Sequence, residues 1–266
     1  MSFFNSFSRG FGRSSKKSKP QQTQANQLQA SASSLSVSSS SSLSSISRAT
    51  SYTNNSNSNT VASSNNGGKV QQKPLFMCQP FVRQALVTGN FKTIVQQPNY
   101  VDTNEWLALY AHEFFALLNS FYDAISEFVT PQACPTMNAG PGVDYLWIDA
   151  SKKAVRLPAA TYIDYTFSWI TSKLEDKTIF PTKVGVPFPP HFISILKNIF
   201  RQMFRVFAHI YHNHFDKMCH LGIQSHWNSL FTHFIGFVIN FDLIDEKERE
   251  PLQPLIDSLE AQGMFL

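Results

Sequence analysis

No aspartate or glutamate occurs among the first 101 residues, which carry ten lysines and arginines. From Asp102 onward twelve bases face eighteen acids, a net charge of −6, so the formal +4 of the whole chain averages two regions of opposite sign. An acidic folded part would repel phosphate backbones, and the basic isoelectric point therefore does not imply nucleic-acid binding. Cysteine is scarce: Cys78, Cys134 and Cys219 are odd in number and widely spaced, which fits reduced intracellular thiols better than a disulfide framework. The N-terminus lacks the apolar segment of a secretory signal. No apolar run reaches the roughly 18 residues that spanning a bilayer requires, so a soluble chain without stable membrane insertion is expected. Catalytic motifs are missing too. The glycines of NAGPGVD have neither dinucleotide-loop spacing nor the Lys-Ser/Thr of a phosphate-binding loop, no Gly-x-Ser-x-Gly elbow exists, and Cys134 lacks a cysteine-protease signature.

What the first third does contain is Ser, Asn, Gln and Thr, in runs such as SVSSSSSLSSIS and TNNSNSNTVASSNNGG. Such a segment holds too little apolar surface to offset a backbone ordering entropy of about 1–2 kcal/mol per residue, so residues 1–75 are expected to be a disordered basic tail ahead of a folded domain at 76–266. At its start Phe3, Phe4, Phe7 and Phe11 can share a helical face beside Arg9, Arg13, Lys16 and Lys17, a pattern suited to weak contact with an anionic membrane surface or to a docking peptide. This acid-free start also loosely resembles a mitochondrial presequence, while Gly10 and Gly12 work against any helix and favour a plain disordered end. Arg48-Ala-Thr-Ser51 has the spacing of a basophilic kinase site.

From residue 76 apolar positions recur with helical period. Asp102 with Glu105 reads as a capping box opening a helix of roughly 25 residues, along which Trp106, Leu109, Leu117, Phe121, Ile125 and Phe128 form the expected apolar stripe, ended by Pro131 and Pro135. A turn-rich stretch follows, with a short hairpin predicted from Asp144–Ile148 and Ala154–Leu157. Further helices are predicted over about 159–174, from Pro189 and Pro190 through Ile210, over about 221–241, and over a last segment capped by Asp245 with Glu248 and carrying Leu252, Leu255, Ile256 and Leu259. The fold class expected is an all-α bundle with a four-helix core.

The stretch AHIYHNHFDKMCH concentrates four histidines and Cys219 within residues 208–220. On a continuous helix His209 and His212 share a face, whereas His209 and His214 stand about 140° apart at about 100° per residue. A metal could use the first pair, or the second if the helix ends near His214; ordinary packing and surface histidines are the alternative. A metal-dependent or cysteine-based enzyme built on Cys134, His209, His212 and His214 is the rival reading from another functional class.

Longer motifs narrow these choices. FRVFAHIYHNHFD, EFVTPQACPTMNAGP, DYLW, YIDYTFSWI, IFPTKVGVPFPPHF, HWNSLFTHFIGFVINFDLID and EPLQPLIDSLE, in that composition over about residues 80–262, strongly resemble the Mob (phocein-like) family of kinase coactivators. FKTIVQQPNYVD and NAGPGVDYLWIDA resemble its fungal class-two members most. The resemblance implies a helical bundle without enzymatic activity that binds the basic N-terminal regulatory region of an NDR/LATS-type Ser/Thr kinase. It also implies roles in polarised growth and cell separation, at the cell cortex, division site, cytoplasm and nucleus. The phocein branch, which docks phosphatase or vesicle complexes, is the alternative within the family.

The same resemblance implies the site residues. Asp102, Glu105, Trp106 and Glu113 match the kinase-contacting positions. Many Mob proteins hold a structural zinc, whose ligands match Cys134, His209 and His214; the fourth position is Val129, which has no lone pair, so an incomplete site without a stably bound metal is expected. A Lys-Arg-x-x-Arg phosphopeptide motif matches Arg201, Gln202 and Arg205, with glutamine removing one charge-assisted donor set.

Overall fold

The computed structural model describes residues 73–87 and 89–265. Two units divide the chain, residues 1–65 and 66–266, and every described residue belongs to the second. The expectations for the tail, its Phe-rich start and the Arg48 site lie outside the described residues, apart from positions 73–75, where a 3₁₀ turn begins at Leu75.

The elements in order are α1 (Phe91–Val95), α2 (Thr103–Ile125), β1 (Trp147–Ile148), β2 (Ala154–Val155), α3 (Ala159–Leu174), α4 (Phe192–Asn213), α5 (Phe215–His220), α6 (Gln224–Asn240), α7 (Glu246–Arg249) and α8 (Gln253–Ala261). The long helices α2, α3, α4 and α6 make the bundle, with α4 packed against α2 and α3, and α6 against α1, α2 and α5. The predicted α3 and the hairpin are both present, the strands antiparallel with Trp147 opposite Val155 and Ile148 opposite Ala154. Among the described residues no helix is long and apolar enough to cross a membrane.

Helix α2 starts where expected, because the Asp102 carboxylate accepts from the backbone N–H groups of Asn104 and Glu105 at 2.8 and 3.2 Å. Its buried face is rotated from the expected one. Leu107, Tyr110, Ala111, Phe114, Leu118, Tyr122 and Ile125 are buried, whereas Leu109 is exposed and Trp106, Leu117 and Phe121 lie half-buried on the flank. Phe128 falls beyond the helix, in a 3₁₀ turn. The physical reason is the partner surface. Tyr110 stacks on Phe237 at 4.4 Å and Phe114 meets Phe234 at 5.4 Å, so these rings rather than Leu109 face α6.

Helix α6 is buried on all sides from Trp227 to Val238 and forms the centre of the bundle. Its buried polar groups are used to hold the N-terminal segment. Asn228 donates to the carbonyls of Phe81 and Gln84 and accepts from the Tyr211 hydroxyl, while Ser229 accepts from the N–H groups of Leu86 and Val87.

The last predicted helix is broken. Short α7, a 3₁₀ turn over Glu250–Leu252 and α8 replace it, with Pro251 and Pro254 each removing a backbone donor, and Asp245 makes no side-chain cap bond. Its apolar face is nonetheless as expected, with Leu252, Leu255, Ile256 and Leu259 buried.

Candidate functional site

Helix α4 ends at Asn213, and His214, with φ −137°, is the bend that leads into α5. That bend brings residues five apart together: the rings of His209 and His214 lie 5.3 Å apart. Cys134 joins them from the turn after α2, its Sγ 3.4 Å from His214 Nε2, and one ligand atom from each of the three residues lies within 4.8 Å of the others. All three side chains are buried. Burial pushes the Cys134 thiol up and the His214 imidazole down, so the contact joins a protonated thiol to a neutral ring. His209 is held down to about 4, chiefly by burial, against the hydrogen bond from its Nδ1 to the Asn138 carbonyl at 2.7 Å. With Nδ1 donating, His209 Nε2 carries the lone pair, and it is buried without a hydrogen-bond partner.

The resemblance implies zinc at this donor set. Bonds of about 2.0–2.3 Å put tetrahedral ligand atoms roughly 3.3–3.7 Å apart, which the Cys134–His214 pair meets, and the orphaned His209 nitrogen is of the right kind. Val129, however, is a buried apolar member of the core and supplies no donor. Three ligands do not fit a closed structural site, which needs four.

His212, the other member of the His209 face, is half-buried and lies outside this group. Its Nε2 donates to the Pro251 carbonyl at 2.9 Å and its ring meets Phe76 edge-on at 5.2 Å, which ties α4 to the segment after α7 and to the N-terminal turn. Gly140, at φ +83°, makes room for it, since a Cβ there would stand 2.7 Å from His212 Nδ1. His220 is exposed at the end of α5.

One to two turns earlier on α4 are Arg201 and Arg205. Arg205 donates through one terminal nitrogen to the Tyr162 hydroxyl at 3.1 Å and through the other to Glu248 at 3.2 Å, and its guanidinium lies 5.1 Å from the centre of the Tyr145 ring. Arg201 Nε stands 4.0 Å from the other Glu248 oxygen. Gln202 is turned inward, accepting from the Tyr162 hydroxyl at 3.0 Å. The expected pair is thus together, but it faces an acid of its own chain. The sequence pattern makes Glu248 a cap partner of Asp245; the folded arrangement sets it against the two arginines instead.

The acidic positions on α2 lie elsewhere. At about 100° per residue Glu105, Leu109, Glu113 and Trp106 occupy one arc of roughly 100°. Glu105 is exposed, Glu113 and Trp106 are half-buried, and Trp106 donates its indole N–H to the Val95 carbonyl at 3.3 Å, bracing α1. Leu109, 49% exposed, sits within this arc, one turn from each glutamate. Just before Asp102, Tyr100 adopts φ +69° and is fully exposed. Neither Leu109 nor Tyr100 was legible as a surface residue. The only sequence signal was that a helix already rich in aromatics had more apolar residues than one buried face could hold.

Residues 83–252 match the model of the Mob1/phocein family. The chain is 60% identical over 190 residues to the CBK1 kinase activator protein MOB2 of Candida albicans, covering 71% of this chain and 61% of that protein's length. It is 56% identical over 195 residues to the protein of the same name from Saccharomyces cerevisiae, covering 73% and 68%. With the maintenance of ploidy protein mob2 of Schizosaccharomyces pombe it shares 48% over 194 residues, covering 73% and 80%. The match thus spans about three-fifths of the Candida relative. A helical bundle with this clamp of histidines and cysteine, matched over most of its folded length, belongs to the Mob1/phocein family.

Proposed function

We propose that the chain is a non-catalytic activating subunit of a protein kinase, and that the partner is of the NDR/LATS type. The kinase-activator names of the Candida and Saccharomyces relatives support the coarser part of this reading. The finer part rests on the start of α2. There an exposed leucine lies between two glutamates, with Asp102 and Tyr100 alongside. An apolar centre inside an acidic rim suits an amphipathic basic helix: the leucine supplies the desolvated anchor, and the acids steer the approach. Such a subunit acts by binding one conformation of the kinase better than another, and its effect is bounded by that difference.

No chemistry is required of the chain itself. The Cys134 thiol is protonated and its neighbours are neutral, which is a poor start for nucleophilic catalysis. We place the subunit with its kinase in the cytoplasm and nucleus and at the cortex and division site, in polarised growth and cell separation, without a resident cofactor.

Mixing the full chain with the basic N-terminal region of such a kinase tests the reading. A one-to-one complex is expected by calorimetry. Leu109→Asp is expected to weaken it at least thirtyfold, and Glu105→Lys with Glu113→Lys at least tenfold at low salt, with the helical content of both variants intact. Unchanged affinity in both variants sinks the assignment of this face.

A further inference from the structure

We infer that the segment after α8, Gly263–Phe265, is a positioning latch: it holds the first turn of α1, and α1 in turn sets the stance of Trp106 on the acidic face of α2. The consequence for partner binding rests on the reading above; the mechanical link does not.

Helix α1 has five residues, too few to hold its shape alone, so its geometry is decided by what meets its two ends. At the start, Asn90 accepts from the Lys92 N–H through its side chain at 2.8 Å and from the Thr93 N–H through its carbonyl at 3.3 Å. The first donor of the turn, the Phe91 N–H, goes instead to the Met264 carbonyl at 2.6 Å. At the far end the acceptors are taken by α2. Trp106 donates its indole N–H to the Val95 carbonyl at 3.3 Å, and the Tyr110 hydroxyl donates to the Ile94 carbonyl at 3.4 Å. Helix α1 is thus a strut between the segment after α8 and two side chains of α2, one of which lies on the acidic face.

A local signal builds the latch. Helix α8 closes in a Schellman turn, in which the Met264 N–H returns to the Leu259 carbonyl at 3.1 Å and the Gly263 N–H to that of Glu260 at 2.8 Å, with Gly263 at φ +71°. This turn carries Met264 and Phe265 back over α1 and α6. Phe265 comes to rest on Gly236, where an added Cβ would stand 3.4 Å from the Phe265 Cβ and 3.8 Å from that of Phe91. Met264, Phe265, Phe91 and Val95 are all buried. Gln262 donates to the Val82 carbonyl at 3.4 Å, which ties the same turn to the segment before α1. The bond from Phe91 to Met264 joins main chain to main chain, so the backbone of the turn, rather than any one side chain, is what sets it.

The test is amide and indole hydrogen exchange by NMR on the full chain, beside calorimetry with the basic kinase segment. At Gly263 an added Cβ meets nothing within 4 Å, so a substitution there acts through φ alone. Gly263→Val opposes the left-handed backbone, and Gly263→Asn accepts it. In Gly263→Val the amides of residues 91–95 and the Trp106 indole are expected to exchange at least about tenfold faster, with the central amides of α6 within about twofold of native. Affinity for the kinase segment should fall at least about fivefold in the same variant. Gly263→Asn should restore both slow exchange and affinity to within about twofold of native.

Unchanged exchange at α1 and the Trp106 indole in Gly263→Val overturns the latch. Equal acceleration throughout α6 also overturns it, because the turn would then be ordinary stabilising packing. A loosened α1 with undiminished affinity overturns the link to the partner face. If Gly263→Val does not fold, Phe265→Ala keeps the turn and takes the ring off Gly236; the same selective loosening is expected, and its absence overturns the latch equally. A native chain that ignores the kinase segment sinks the proposed function alone, since the exchange measurements need no partner.

Discussion

Helix α4 carries two clusters that meet the same problem, polar groups near a packed core, in opposite ways. At its C-terminal end His209, His214 and Cys134 are all neutral, and burial is what neutralises them. One to two turns earlier Arg201 and Arg205 cannot discharge, so the chain supplies a carboxylate from α7. For Arg205 burial works against the charge, while Tyr162 and Glu248 favour it, and the balance falls on the charged side. Groups that can lose a proton are packed like apolar ones; groups that cannot must be given a counter-ion. A recognition surface is then most easily built from charges the fold has not already matched.

Acid should break this contrast with the largest effect. His209 and His233 are both held down to about 4 by burial, below the roughly 6.5 of the unfolded chain. Between those values the unfolded chain binds protons that the folded chain does not, so stability falls as pH drops through this window and is flat above it. Each histidine contributes a slope of about 1.4 kcal/mol per pH unit, or about 2–3 kcal/mol by pH 4.5. Urea melts at a series of pH values measure this. His233→Gln should remove one histidine's share of the slope; an unchanged slope would show that His233 is not neutral in the fold.

The ionic end should respond next. Arg205→Met leaves Glu248 half-buried beside a distant Arg201, and about 2–3 kcal/mol of stability should be lost. Combining it with Glu248→Gln should recover at least half of that, because the uncompensated charge rather than the missing contact is the main cost. Equal instability of the single and double variants in urea would refute that account.

A third change converts the neutral end into an ionic one. Val129→Cys offers a fourth donor to Cys134, His209 and His214. After dialysis against chelator the variant is expected to retain one equivalent of zinc, and free zinc at a hundredfold excess over Kd should add about 2.7 kcal/mol. The native chain should retain well under one equivalent, and a full equivalent there would show that three protein ligands suffice.

The sequence disclosed these clusters unevenly. Where a local signal settles the structure it was readable: Asp102 caps α2, and the hairpin strands and α3 lie where alternation and period put them. The bend at His214 has no Gly or Pro to announce it, yet it decides which histidines meet. Glu248 was claimed by a capping pattern and lost to Arg205, some forty residues away. On α2 the face was misjudged because Tyr110 and Phe114 outcompete Leu109 for the rings of α6, a contest between distant segments that periodicity cannot decide. Leucine left in water there is the strongest pointer to the proposed partner surface.

Asp102 is the case that separates the two uses of charge most finely, because it is both a cap and part of the acidic face. Its carboxylate satisfies two backbone donors at the start of α2. Asn caps a helix about as well as Asp, so Asp102→Asn should stay within a few tenths of a kcal/mol of the native stability, whereas Asp102→Ala should lose about 1 kcal/mol. The two variants lack the same charge and differ in the cap. If the charge matters to the partner, both should bind a basic kinase segment less well, by about threefold each, with a shallower dependence on salt. If only the cap matters, Asp102→Asn will bind like the native chain and Asp102→Ala alone will weaken, through fraying of the turn that carries Glu105 and Trp106.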